Sequence, residues 1–198
     1  MRRTLALLAL LAVLVPGSLA GAGAGDGDFK TGVFDPPSAA PEFQLAGSKG
    51  SPVSLNKFRG KVVALAFGFS YCQRVCPVTL ANLSEVFKKL GAAAADVQVI
   101  FVSVDPERDT PGRLREFLQF FNPGFLGATG SKAQLDAVRE TYGVFATKAP
   151  SEDKKLGYEV HHSSSIYLID RDGKLRLLVP FGTPPQVIVH DITLLLKR

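Results

Sequence analysis

The stretch Lys61-Val62-Val63-Ala64-Leu65-Ala66-Phe67-Gly68-Phe69, continued by Ser70-Tyr71-Cys72-Gln73-Arg74-Val75-Cys76-Pro77, decides how this chain folds. Its first nine residues are an apolar run of strand length closed by Gly68 and Phe69, the pattern of a central strand buried on both faces. From Pro77 to Leu90 the pattern changes to helical spacing. Val78, Leu80, Leu83, Val86, Phe87 and Leu90 form the apolar face, Pro77 suits the first turn and Gly91 the stop. Both cysteines of the chain lie in the short passage between strand and helix. In open α/β sheets, sites form beyond the carboxyl ends of strands, which is where this pair falls.

Outward from that unit, Val97–Val104 reads as a second buried strand. A helix follows, capped by Asp109 or Thr110, with Pro111 in its first turn and Leu114, Phe117, Leu118 and Phe121 on its apolar face. Ser131–Tyr142 reads as a third helix ended by Gly143. Ser165–Ile169 and Leu175–Val179 flank Asp170-Arg171-Asp172-Gly173 as an antiparallel hairpin, and Pro184–Leu196 is a closing helix. On the amino-terminal side, Phe43–Leu45 and Pro52–Leu55 form a short hairpin. A β-α-β unit followed by a hairpin and a helix predicts a thioredoxin-like three-layer α/β/α domain with a central mixed sheet, spanning 41–198.

The first twenty residues differ from the rest. Met1-Arg2-Arg3, the apolar run Leu5–Val15 and the small residues ending at Ala20 describe a secretory signal peptide over 1–20. Its apolar run is shorter than the ~20 residues a bilayer span needs. Residues 21–40, rich in Gly, Ala, Pro, Ser and Asp, read as a flexible linker. The chain is expected to be exported, periplasmic or otherwise extracytoplasmic, where neighbouring thiols can oxidise; retention by an uncleaved signal stays open. Composition sets bounds on partners. With 23 basic and 18 acidic residues the net charge is +5, and removing Arg2 and Arg3 leaves 21 − 18 = +3. So mild a surplus argues against nucleic-acid binding. With 198 residues, 46% of them hydrophobic, the chain can fill a core without disulfide staples. A monomer is expected.

Cys72 and Cys76 are spaced i, i+4, so their thiols can share one face of a turn, for a disulfide or a shared soft metal ion. The disulfide alone would close so short a loop that chain entropy gives it only about 2 kcal/mol. Two thiolates leave most metals short of ligands. The chain has three histidines, His161, His162 and His190. His161-His162 precedes the strand Ser165–Ile169, whose entering loop passes near the cysteine turn in such a fold, and His190 lies on the closing helix. A Cys2His set suits copper, particularly Cu(I), and also admits zinc. Adjacent residues on a strand point to opposite faces, so one of the two histidines is expected to reach the thiols.

Phe67-Gly68-Phe69-Ser70-Tyr71-Cys72-Gln73-Arg74-Val75-Cys76-Pro77 resembles the Cys-Pro-Asp-Val-Cys-Pro segment of the Sco/SenC proteins. Val102-Ser103-Val104-Asp105-Pro106-Glu107-Arg108-Asp109-Thr110-Pro111 is similar to their Ser-Val-Asp-Pro-Glu-Arg-Asp-Thr stretch. Val160-His161-His162-Ser163, with Ile166–Ile169 and Asp172-Gly173 behind it, is similar to their Asp-His-Ser/Thr segment and following strand. The resemblance implies a thioredoxin-like copper metallochaperone that serves the binuclear copper centre of cytochrome c oxidase. One copper would be held by Cys72, Cys76 and His162, with the oxidase's copper-bearing subunit and other periplasmic copper or thiol-redox proteins as partners. Three positions depart from the family pattern: Gln73-Arg74 replaces Pro-Asp, and His161 replaces the aspartate. Arg74 is expected to favour thiolates.

A second reading needs no metal: Cys72 and Cys76 as the redox-active pair of a thiol-disulfide oxidoreductase, with Cys72 the attacking thiol. A peroxidase of peroxiredoxin type is disfavoured, because Phe69 and Leu65 stand where that chemistry places Thr and Pro ahead of its cysteine.

Overall fold

Every residue of strand β4 (Val62–Gly68) is buried, as its unbroken apolar run predicts. The computed structural model describes residues 28–154 and 156–198, so the expected signal peptide over 1–20 lies outside the described residues. Ten strands are described. The others are β1 (Gly32–Ala39), β2 (Gln44–Gly47), β3 (Val53–Ser54), β5 (Val97–Ser103), β6 (Leu126–Thr129), β7 (Ala146–Pro150), β8 (Tyr158–His162), β9 (Ile166–Ile169) and β10 (Lys174–Val179). Four α-helices accompany them: α1 (Val75–Leu90), α2 (Pro111–Gln119), α3 (Lys132–Thr141) and α4 (Pro185–Leu196).

Eight strands form one mixed sheet in the order β1-β10-β9-β4-β5-β6-β2-β3, and β7 and β8 pair separately. β4, β5 and β6 run parallel through the crossovers α1 and α2, while β9 lies antiparallel against the other side of β4. Helices cover both faces. Phe101 of β5 packs against Phe117 of α2, and α1 packs against α4. Phe67, pointing to the opposite face of β4 from Gly68, meets Tyr142 at the end of α3 and Tyr167 of β9. This is the expected layered α/β domain, with its core running along β4 and β5.

The helix signals act as their chemistry requires. Thr110 Oγ1 accepts from the Arg113 N–H at the start of α2, and Ser131 with Gln134 closes a reciprocal capping box on α3. Gly91 ends α1 at φ 57°, a conformation that favours glycine.

Three expectations need correction. Residues 32–39, read as part of a flexible linker, form β1 and pair antiparallel with β10. Pro36 and Pro37 are tolerated in it because β1 is an edge strand with an irregular register between Val33 and Ser38. α1 begins at Val75 rather than Pro77, which places Cys76 inside its first turn. His161-His162 ends strand β8 instead of lying in a loop, because Lys148, Thr147 and Ala146 of β7 pair with Val160, His161 and His162.

Candidate metal centre

The chain leaves β4 at Gly68 and turns through residues 69–74 before α1. A helix start leaves backbone N–H groups without internal partners. Arg74 occupies the cap position and offers no side-chain acceptor. Instead the Cys76 N–H points at Cys72 Sγ, 3.4 Å away, so the first sulfur does the work of a capping oxygen. The i, i+4 spacing thereby brings both thiols to one side of the turn.

Cys76 is 2% exposed, whereas Cys72 is half-buried at the surface. Gly68 makes room for Cys76: a Cβ there would lie 2.7 Å from Cys76 Sγ and 2.6 Å from the Phe101 ring. The third group comes from 86 residues further along. His162 Nε2 stands 3.6 Å from Cys76 Sγ, and the ligand atoms of Cys72, Cys76 and His162 all lie within 4.8 Å of one another. Among the described residues this is the cluster of three His, Cys or acidic side chains able to hold a metal ion.

The histidine is oriented from behind. Its Nδ1 lies 2.7 Å from the Ser163 carbonyl oxygen, which can only accept, so in the neutral ring Nδ1 carries the proton and Nε2 keeps its lone pair toward the sulfurs. Phe69 sets its edge-to-face position, with ring centroids 5.8 Å apart. Two thiols and one imidazole converging on a volume the size of an ion form a soft donor set, which fits copper.

The two thiols titrate as a pair. The Cys76 thiol donating to Cys72 holds Cys72 well below the ordinary thiol value. The His162 side chain and then the backbone N–H groups of Cys76 and Arg74 add to this, against an opposing effect of burial. Cys76 is pushed up, first because it donates that bond, then by burial and by the Cys72 charge. The two shifts are opposite because the same hydrogen bond is donated by one sulfur and accepted by the other. Arg74, expected to favour thiolates, here acts through its backbone N–H.

The other two histidines stand elsewhere. His161 is exposed on the opposite face of β8, and His190 of α4 is hydrogen-bonded to Asp191 Oδ1 at 2.9 Å. A cleft of about 280 Å³ opens beside Cys72, lined by residues of the cysteine turn and of β8 that include Tyr71, Arg74, Tyr158 and His161.

Turn and cap chemistry is one reading of Asp105–Thr110 from its sequence and shaping of the site or a partner surface the other, and its side chains support the shaping of the site. Buried Asp109 accepts from the Ser70 N–H, the Ser70 hydroxyl at 2.6 Å and the Ser103 hydroxyl at 2.7 Å, tying the cysteine turn to the end of β5. Burial pushes its pKa up, and those hydrogen bonds oppose the shift. The signal in the sequence is three acidic residues, Asp105, Glu107 and Asp109, in a loop directly after a buried strand.

Comparison with known proteins places these features. The SCO1/SenC family model matches residues 34–197. An SCO2-like protein of Rickettsia conorii is 35% identical over 133 residues, 67% of this chain and 65% of that protein. The chain therefore spans just under two thirds of that relative's length. The copper-bound structure of Bradyrhizobium japonicum ScoI superposes with a TM-score of 0.73 at 35% identity, covering 80% of this chain and 99% of that one. A structure of BsSco, described by its disulfide switch and as a member of the Sco family of cytochrome c oxidase assembly proteins, gives a TM-score of 0.65 at 29% identity. It covers 81% of this chain and 95% of that one.

Proposed function

The chain belongs to the SCO1/SenC family, and from that premise we propose that it is an extracytoplasmic copper metallochaperone. It carries one copper on Cys72, Cys76 and His162 and delivers it to the copper-bearing subunit of cytochrome c oxidase. The observation that carries this reading is the meeting of three soft ligand atoms from distant parts of the chain within 4.8 Å.

The site suits cargo more than a resident cofactor. Cu(I) on two thiolates and a neutral imidazole carries a net charge of −1, and such an ion is passed on by exchanging ligands one at a time. Buried Cys76 and the oriented His162 retain it while surface-facing Cys72 yields first to an incoming thiolate. Residues 1–20 supply export, and no helix among the described residues is long and apolar enough to cross a membrane. The domain serving this function runs from β1 to α4.

An anaerobic titration of the reduced protein with Cu(I) against a competing chelator tests the reading. One copper per chain is expected. Cys72→Ser or Cys76→Ser should lower affinity by at least about a hundredfold, and His162→Ala by about tenfold or more, since even outer-shell partners are worth 10- to 100-fold. A chelator left fully loaded by the unmodified protein would overturn the proposal.

The asymmetry of the pair also favours a second reading, a thiol-disulfide oxidoreductase. The Cys72 thiolate attacks a substrate disulfide and forms a mixed disulfide. Cys76 loses its proton to the first substrate sulfur released and attacks Cys72 Sγ, displacing the second, which takes a proton from water, so the substrate leaves as a dithiol and the Cys72–Cys76 disulfide remains. Reductase turnover unaffected by His162→Ala would favour this reading over copper delivery.

A further inference from the structure

Arg108 is 15% exposed and lies among three parts of the site that are far apart in sequence. Its Nε donates to Asp105 Oδ2 at 2.5 Å, and Asp105 is fully buried. Its Nη1 donates to the carbonyl oxygens of Leu156 and Tyr158, each at 3.1 Å, at the entrance to β8. The guanidinium carbon sits 3.8 Å from the Tyr158 ring centroid, 5.0 Å from that of Tyr71 and 5.6 Å from that of Phe69. Its Nη2 is buried and finds no oxygen or nitrogen acceptor among the described residues. Tyr158 closes the arrangement by donating its hydroxyl to Asp105 Oδ1 at 2.7 Å.

One cation therefore joins the Asp105 turn, the aromatic residues of the cysteine turn and the start of the strand that carries the histidine. The register of β8 gives that junction a consequence. Tyr158, Val160 and His162 share one face of the strand, and Val160 is buried. A slip of one residue would exchange the two faces and turn His162 away from the thiols. β7 and β8 form a two-stranded pair outside the main sheet, so their ladder fixes β8 against β7 and not against the cysteine turn. The polar ties between the start of β8 and the Asp105 turn are the two carbonyls held by Nη1 and the Tyr158 hydroxyl on Asp105 Oδ1. On the cysteine side, Phe69 is near both the guanidinium and the His162 ring, at 5.6 and 5.8 Å.

We propose that Arg108 is the positioning residue of the metal centre: by pinning the Leu156 and Tyr158 carbonyls over Phe69 and Tyr71, it sets the register that brings His162 to Cys72 and Cys76. The inference rests on the copper reading of the site. It assigns Arg108 no contact with copper and no part in retaining the thiolates. A planar fork with several donors is required, which a lysine cannot supply.

The test compares Arg108→Gln, Arg108→Lys, His162→Ala and the Arg108→Gln/His162→Ala double variant with the unmodified protein, each confirmed folded by its thermal unfolding transition. Two readouts are used. The first is Cu(I) affinity by chelator competition. Arg108→Gln should weaken binding at least tenfold in the unmodified background and less than twofold once His162 is gone, because both changes remove the same ligand. An equal loss in both backgrounds, or no loss in either, overturns the inference.

The second readout is the ring ¹⁵N and ¹H spectrum of His162 in the reduced, copper-free protein. Arg108→Gln should shift the ring signals and weaken the Phe69–His162 nuclear Overhauser effect; an unchanged spectrum overturns the inference. Arg108→Lys keeps the charge without the fork and should bind copper with intermediate affinity. Full affinity in that variant would assign the effect to charge and also overturn the inference. If the unmodified protein left copper with the chelator, the copper reading would fail, and the copper-free spectrum would still report on Arg108.

Discussion

Cys72 and Cys76 are the same residue type in one turn, and their surroundings give them opposite tendencies. Cys72 receives hydrogen bonds at the open end of a helix, and Cys76 donates one from a buried position. A group whose pKa is lowered keeps its charge as the pH falls, so Cys72 stays a thiolate where an ordinary thiol, at 9.0, is protonated. In the reduced, metal-free protein, alkylation of Cys72 by iodoacetamide should be nearly independent of pH between about 6 and 9, whereas an ordinary thiol slows about tenfold per pH unit below its pKa. Cys76→Ala removes the largest cause of the shift and should restore the steep dependence. A tenfold-per-unit slope in the unmodified protein would contradict this account. The spacing of the pair and the presence of a distant histidine pair were legible in the sequence. The roles of Asp109 and Arg108 were not, because a charged residue in a loop reads as a cap or a solvated group. Their partners lie 39 residues away for Ser70 and 48 to 50 for Leu156 and Tyr158.

Periodicity shows at the element scale where burial is continuous, as in β4, β5 and the four helices, and fades where a strand is short or at an edge. β6 has four residues and an interior glycine, β7 alternates weakly, and β1 contains two prolines, so none carried a strand pattern. The element that does most to form the site is the end of β4. Position 68 faces both Phe101 and Cys76, and the contacts a Cβ would make, 2.6 and 2.7 Å, are shorter than side chains tolerate. Gly68→Ala must displace the aromatic ring, the sulfur or the strand. It should cost about 1–3 kcal/mol in denaturant unfolding, as overpacking does, and weaken Cu(I) binding by moving Cys76. Gly112→Ala is the matched control. It lies in α2 with its nearest neighbour 3.9 Å from the added carbon, and should leave binding unchanged with equal or greater stability. Gly68→Ala matching that control on both measurements would show that the junction has slack the distances deny.

Across the whole molecule, the sheet order separates what carries the site from what closes the fold. The metal centre lies beyond the carboxyl end of β4, with β8 folded against it, while β1 closes the sheet three strands away through β10 and β9. An edge strand interrupted by prolines needs an anchor. Asp191 of α4 supplies one: its fully buried carboxylate accepts from the Lys30 N–H at 3.0 Å, the Thr31 N–H at 3.1 Å and the Thr31 hydroxyl at 2.7 Å. The composition of 21–40 concealed this because the acceptor lies 160 residues downstream. Asp191→Ala leaves those donors without their partner, and hydrogen bonds to a charged group are the strong kind, so a loss of about 3 kcal/mol is expected in chemical denaturation. The amides of β1 should also exchange faster, and limited trypsin treatment should cut after Lys30. Copper affinity should stay within about twofold of the unmodified protein, because the three ligands are carried by the cysteine turn, α1 and β8 and not by β1 or α4. A parallel fall in copper affinity would mean that the amino-terminal edge and the metal centre form one cooperative unit, contrary to the separation the sheet order implies.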